Sequence, residues 1–202
     1  MRYGTKTNMM ETKGKRIILA SGSPRRKELL SGLNIDFEVD TRNHFEETYS
    51  LDTPHEMIPH ILSEGKSYGF HRELSENEIL ITSDTLVLCG DRVMGKPHTR
   101  EEAVDMLRFL SGRSHKVITA LTLRDCKRHE TISDTATVHF RELTDNEIAC
   151  YIDTFKPYDK AGAYGIQEWI GYIGITGIEG SFFTIMGLPV HLAYSQLLKF
   201  IG

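Results

Sequence analysis

Arg25, Arg26 and Lys27 stand together in "SGSPRRKELL", where a helix reads as beginning. A helix start carries partial positive charge and favours acids. Its free N–H groups also bind phosphate well. Cations there suit a helix whose start receives an anion; a solvated basic helix start is the plainer alternative. In "ITSDTLV", Asp84 interrupts an apolar stretch. A buried carboxylate is costly unless it is paired or holds a metal. Asp84 therefore reads either as a turn cap at a strand end, or as a metal-binding or water-activating acid there. Thr85 beside it would then touch a substrate. "MGKP" sets Lys96 on a loop before a capped helix, and "YDKAGAYGIQ" offers Asp159, Lys160 and Gln167 among small residues. Small residues permit close backbone approach. A glutamine amide both donates and accepts, as a pyrimidine edge requires. Together these pieces suggest a triphosphate site: a basic helix start, an acid for a divalent metal, lysines and a base-reading amide.

The elements that must carry these residues follow from local pattern. Ile17 to Ala20 is a short apolar run, expected as a buried strand. Ser21-Gly22 turns the chain, Ser23 is a good N-cap, and Pro24 suits the first helical position. That helix is expected to run to about Ser31, with Gly32 as its stop. Thr53 to about Leu74 reads as helix, complicated by Pro59. "EILITSDTLVLCGDRVMG" reads as two apolar runs with Asp84 between them, then a turn at Gly90-Asp91. Thr99-x-x-Glu102 and Thr144-x-x-Glu147 are capping boxes opening two further helices, the second through Ile152. Ala103, Met106, Leu107 and Leu110 form one apolar face. "HKVITALTL" and "TISDTATVHF" are strands joined by a polar turn. "GYIGITGIEGSFFTIMG" reads as a hairpin turning near Glu179-Gly180, and "LPVHLAYSQLLKFI" as a closing amphipathic helix. The alternation argues for an α/β fold, and the hairpins for a mixed sheet.

The 202 residues suit one domain, expected over 16–202, after a loose polar extension over 1–15. A 40% apolar share supports a core, and a net charge of −4 argues against a general nucleic-acid or membrane-surface binder. The three cysteines include no C-x-x-C pair, and the nine histidines no H-E-x-x-H, so neither a disulfide framework nor a zinc site is indicated. No secretory signal or membrane-spanning run is evident, so the expected location is cytoplasmic.

The chain also resembles the Maf family of nucleoside triphosphate pyrophosphatases from about Arg16 onwards. The resemblance is carried by "LASGSPRRKELL", "SDT", "GKP", "LSGRSHKVITAL", "FRELTDNEIACYI", "DKAGAYGIQ" and "MGLP". It implies a mixed twisted sheet with flanking helices, like that of the inosine triphosphate pyrophosphatases, with two lobes around a cleft. It implies hydrolysis between the α- and β-phosphates, with a divalent cation, Mg²⁺ or Mn²⁺. By position, Asp84 matches the catalytic acid or proton acceptor. Ser21, Arg25, Arg26, Lys66 and Lys96 match phosphate contacts, and Lys160, from its loop, is read as a further substrate contact. Glu46 matches a carboxylate near the metal, although "TRNHFEE" is an unusual form of that segment and Glu47 is its neighbour. The family divides at three positions around the base. The dTTP/UTP subgroup has Arg, Thr and Gln, as Arg25, Thr85 and Gln167 here; the 7-methyl-GTP subgroup has Trp, Gln and Glu. The resemblance thus implies dTTP and UTP as substrates, with modified pyrimidine nucleotides, a house-cleaning role and a role in cell-division arrest in view. A 7-methyl-GTP pyrophosphatase and a non-catalytic regulator of septum formation are the alternatives. A two-fold homodimer is expected, as for most soluble oligomers.

Overall fold

The computed structural model describes residues 10–202. The extension expected over 1–15 falls partly outside the described residues. Within them, Met10 is buried in the main core, and Lys15 donates to the Glu76 carbonyl at 2.8 Å.

Seven strands form one mixed sheet. β1 (Arg16–Leu19) is the apolar run before the basic helix α1 (Pro24–Ser31). Ser23 caps α1, its side chain accepting from Arg26 N–H at 3.4 Å. Gly32 follows α1 in a right-handed conformation, φ −63°, not in the left-handed one common for a helix-ending glycine. β2 (Phe37–Val39) pairs parallel to β1. The helix expected over Thr53–Leu74 is shorter: a 3₁₀ turn, His55–Met57, leads into α2 (Ile58–Tyr68).

β3 (Glu78–Cys89) differs most from expectation. The two apolar runs are one continuous 12-residue strand, and Asp84 lies in its middle, not at a strand end. Pairing explains this. β5 (Ser114–Arg124) lies antiparallel to β3 from Leu80 to Leu88, with Ala120 opposite Asp84. That ladder keeps the backbone extended through the acid.

α3 (Arg100–Leu110) and α4 (Asp145–Phe155) start at the expected threonines. At α3, Glu102 reaches the N–H of His98 rather than that of Thr99, so only half of that box forms. At α4 the box is complete: Glu147 N–H donates to Thr144 Oγ1 at 3.3 Å, and Thr144 N–H to Glu147 Oε2 at 2.8 Å. Thr144→Ala should lower the Tm by roughly 2–4 °C, the effect of losing one helix cap in a domain of this size. Calorimetry checks this, with turnover expected to be unchanged.

β6 (His129–Phe140) pairs with β5, and β7 (Ile175–Glu179) with β6. The hairpin expected over Gly171–Gly187 is not formed. A short helix α5 (Trp169–Gly174) precedes β7, and the "SFFTIMG" half is helix α6 (Phe182–Met186). Tertiary bonds override the β-propensity of its aromatics. The Thr184 hydroxyl donates to Asp134 at 2.5 Å, and its carbonyl accepts from Thr119. α7 (Val190–Ile201) closes the chain.

Alternate β3 side chains face opposite ways. Ile79, Ile81 and Val87 join the main core, while Leu86 and Leu88 pack against Ile58 and Leu62 of α2. Buried hydroxyls fix the register of α2 on the sheet. Thr82 donates to the Ser63 carbonyl at 2.7 Å, and Ser63 and Thr122 bond at 2.9 Å. No helix among the described residues is long and apolar enough to cross a membrane.

Candidate active site

The site opens where β3 loses a neighbour. On one edge, β1 pairs with β3 only as far as Leu19 beside Ile81. On the same edge, the short strand β4 (Arg92–Met94) resumes pairing at Val87. Between them, Thr82 to Leu86 have no ladder partner on that side among the described strands. Asp84 and Thr85 are accordingly the two β3 residues that are not fully buried. A cleft of about 750 Å³ lies over this gap. Its walls come from the turn after β1, the start of α1, α2, the "GKP" loop after β4 and the 159–167 loop. Ligands of open α/β sheets bind at such places, beyond the carboxyl ends of parallel strands.

Every site residue expected from sequence except Glu46 lines this cleft. Asp84 points towards α2, where the Lys66 ammonium donates to its Oδ1 at 2.6 Å. Lys66 also pairs with Glu47 Oε1 at 2.8 Å. Burial raises the Glu47 pKa, but the Lys66 hydrogen bond and charge, with Lys96 and Arg26, hold it below the usual carboxylate range. Glu46 is exposed and does not line the cleft, whereas Glu47 does. The backbone before it is docked on α2 through Asn43 and His44, and that docking decides which of the two acids faces inwards.

Arg26 is the hub of the opposite wall. Its guanidinium donates to the Gly187 carbonyl at 2.8 Å, to Thr85 Oγ1 at 3.2 Å and to Ser21 Oγ at 3.4 Å. Burial lowers its pKa, opposed by Asp84 and Glu47 and reinforced by Arg25. Hydrogen counting then fixes the role of Thr85. Thr119 spends its one hydroxyl proton on the Thr184 carbonyl at 2.8 Å. The 3.0 Å bond between Thr85 and Thr119 must therefore be donated by Thr85. Thr85 Oγ1 is left as an acceptor for Arg26, so this threonine sets the guanidinium as well as facing the cleft.

A charged chain crosses to the other lip. Arg25 pairs with Asp159 at 3.0 Å, Asp159 with Lys160 at 2.7 Å, and Lys160 with Glu168 at 3.1 Å. Burial raises the Asp159 pKa, but Lys160 and Arg25 bring it below its ordinary value. The Tyr151 hydroxyl donates to Glu168 and accepts from Gly165 N–H at 3.0 Å. Burial, then Glu168, push the Tyr151 phenol far above its ordinary pKa. This chain ties α1 to α4 through the loop that carries Gln167. The Gln167 Oε1 atom is buried with no hydrogen-bond partner in the protein. An acceptor in that state can take a donor from a bound molecule, since a buried polar atom without a partner is costly.

Sequence reasoning missed Tyr151, Glu168 and Thr119. Tyr151 and Thr119 lie within "FRELTDNEIACYI" and "LSGRSHKVITAL" without standing out there, and Glu168 directly follows "DKAGAYGIQ". Only the tertiary fold brings them behind the site.

Two carboxylates meeting at one ammonium form a hard-oxygen pair. Mg²⁺ and Mn²⁺ accept such donors, and Mg²⁺ is commonly held by one or two carboxylates with substrate phosphate oxygens completing the shell. No group of three His, Cys, Asp or Glu converges among the described residues.

The Maf-like protein family model matches residues 16–200. A dTTP/UTP pyrophosphatase of Bacteroides thetaiotaomicron is 47% identical over 183 residues, covering 91% of this chain and 95% of that protein. One of Phocaeicola vulgatus is 49% identical over 184 residues, covering 91% and 95%. One of Porphyromonas gingivalis is 46% identical over 187 residues, covering 92% and 94%. With the cleft in the gap of β3 and a match over nearly its whole length, this chain belongs to the Maf-like protein family.

Proposed function

We propose that this protein hydrolyses dTTP and UTP between the α- and β-phosphates, giving the nucleoside monophosphate and pyrophosphate. The observation that carries the reading is Asp84, an acid in the middle of a buried strand, open only towards a cleft ringed with cations. The names of the relatives support the same substrates for this chain.

A triphosphate resolves the puzzle of the basic helix start. Its charge would meet Arg25 and Arg26 on α1, Lys66 on α2, and Lys96 and Lys160 from the loops. Hydrogen bonds between these cations and phosphate oxygens are charge-assisted, which makes them short and strong. Asp84 would take a proton from water as its oxygen attacks the α-phosphorus in line with the bridging oxygen of the leaving pyrophosphate. The new P–O bond forms as the anhydride bond breaks. Lys66, fixed by Asp84 and Glu47, would stay beside the charge that builds up. Asp84 and Glu47 would hold Mg²⁺ or Mn²⁺, which when bound would neutralise phosphate charge. Gln167 would read the base, its carbonyl accepting the N3–H of uracil or thymine and its amide donating to a neighbouring base carbonyl.

Turnover of dTTP in ¹⁸O-water with Mg²⁺ tests this route. Equal amounts of dTMP and pyrophosphate are expected, with the label in dTMP, and excess chelator should stop the reaction. Label in pyrophosphate, release of orthophosphate, or undiminished turnover with chelator would contradict it.

A further inference from the structure

We propose that Phe45, seated in a notch left by Gly65 and Gly69 on α2, is the positioning residue that holds the Glu47 carboxylate against Lys66. The catalytic meaning of that placement rests on the triphosphate reading above. Gly65 lies inside α2 (Ile58–Tyr68), where glycine is destabilising relative to alanine. The structure shows what the missing side chain makes room for. A Cβ on Gly65 would lie far inside contact distance of three Phe45 ring carbons. One on Gly69 would stand 2.5 Å from Phe45 Cβ and 2.6 Å from Asn43 Oδ1.

The docked segment is a short strap. Asn43 donates to the Lys66 carbonyl at 2.7 Å and accepts from Phe45 N–H at 2.8 Å. His44 N–H donates to the Gly69 carbonyl at 2.8 Å. The ring of Phe45 packs with the cluster of Ile58, Leu62, Leu86, Leu88 and Ile118. Beyond it, Tyr49 and Leu51 are exposed. Apolar anchoring of the strap therefore rests on Phe45, two residues before Glu47. Glu47 itself is 60% exposed in its side chain and meets Lys66 as its ion-pair partner. One exposed ion pair orders a chain weakly. The ring sets where the carboxylate lies, and the glycines let the ring reach the helix backbone next to Lys66.

Gly65→Ala tests this, because a displaced Phe45 ring can swing out while α2 keeps its helical hydrogen bonds. Phe45→Ala, which leaves both glycines intact, is the second variant. In each, amide exchange of residues 43–47 should rise at least about 10-fold with α2 protection retained, since a local opening is released without global unfolding. Turnover of dTTP should fall roughly 10–100-fold, the usual cost of losing a residue that orients a ligating group. In a Glu47→Gln background, the same two substitutions should cause no further fall. Unchanged strap exchange in both variants would overturn the proposal, as would an equal fall in turnover with and without Glu47. If the parent chain turns over no nucleoside triphosphate, the functional reading fails. The exchange measurement then still decides whether Phe45 holds the strap.

Discussion

Asp84→Asn is expected to abolish nearly all turnover while leaving the fold, and nucleotide binding without the metal, in place. The substitution keeps the shape and leaves an amide oxygen able to accept from Lys66, which sits 2.6 Å from Asp84 Oδ1 in the parent. It removes the carboxylate proposed to take the proton from water. A positioned general base contributes roughly 10²–10⁴-fold, so kcat should fall by that much. Two features keep the effect apart from unfolding. The backbone of residue 84 is held by pairing with Ala120, and Lys66 keeps Glu47 as a second partner at 2.8 Å. The circular dichroism spectrum and the metal-free dTTP affinity should therefore change little. More than half of the parent activity in the variant would remove Asp84 from this role.

Local features of the fold were legible in the sequence, and long-range ones were not. Ser23, Pro24, Thr99 and Thr144 announced their helices because a cap is made by residues three positions apart. β2, with three residues and one partner strand, left no such signal. Asp84 read as a break because a carboxylate in an apolar run is costly. Its continuity in β3 comes from β5, more than thirty residues away, and its charge partner from α2. That Glu47 rather than Glu46 lines the cleft was hidden for the same reason: it depends on how the segment around Phe45 packs on Gly65 and Gly69. "SFFTIMG" carried strand propensity in its aromatics, yet Thr184 is held by Asp134 and Thr119, which the sequence cannot place beside it. The cations of α1 were the clearest sign. They break a local rule, and Arg25 and Arg26 line the cleft.

Selection of the base should be the second large effect. Arg25, Thr85 and Gln167 all line the cleft, but they are not in equivalent states. Arg25 is paired with Asp159, and Thr85 spends its proton on Thr119 and accepts from Arg26. Gln167 alone of the three has a buried acceptor without a partner. Uracil and thymine offer it an N3–H beside carbonyl groups. A methylated guanine is cationic and favours an aromatic face, which none of these three positions supplies. Bases that leave the amide unpaired should be rejected, a loss that reaches about 10⁴-fold in sites built to hydrogen-bond their substrate. The thymine methyl and the ribose hydroxyl are weaker handles, so dTTP and UTP should differ little.

The kcat/KM values of the purified protein for dTTP, UTP, 7-methyl-GTP, ATP and GTP, measured by pyrophosphate release under one set of conditions, test the account most directly. The expected order places dTTP and UTP together, at least about 10²-fold above the other three, with discrimination of this size arising from unpaired polar groups. A value for 7-methyl-GTP equal to or above that for UTP would contradict it, because Gln167 and its neighbours would then not be reading a pyrimidine edge.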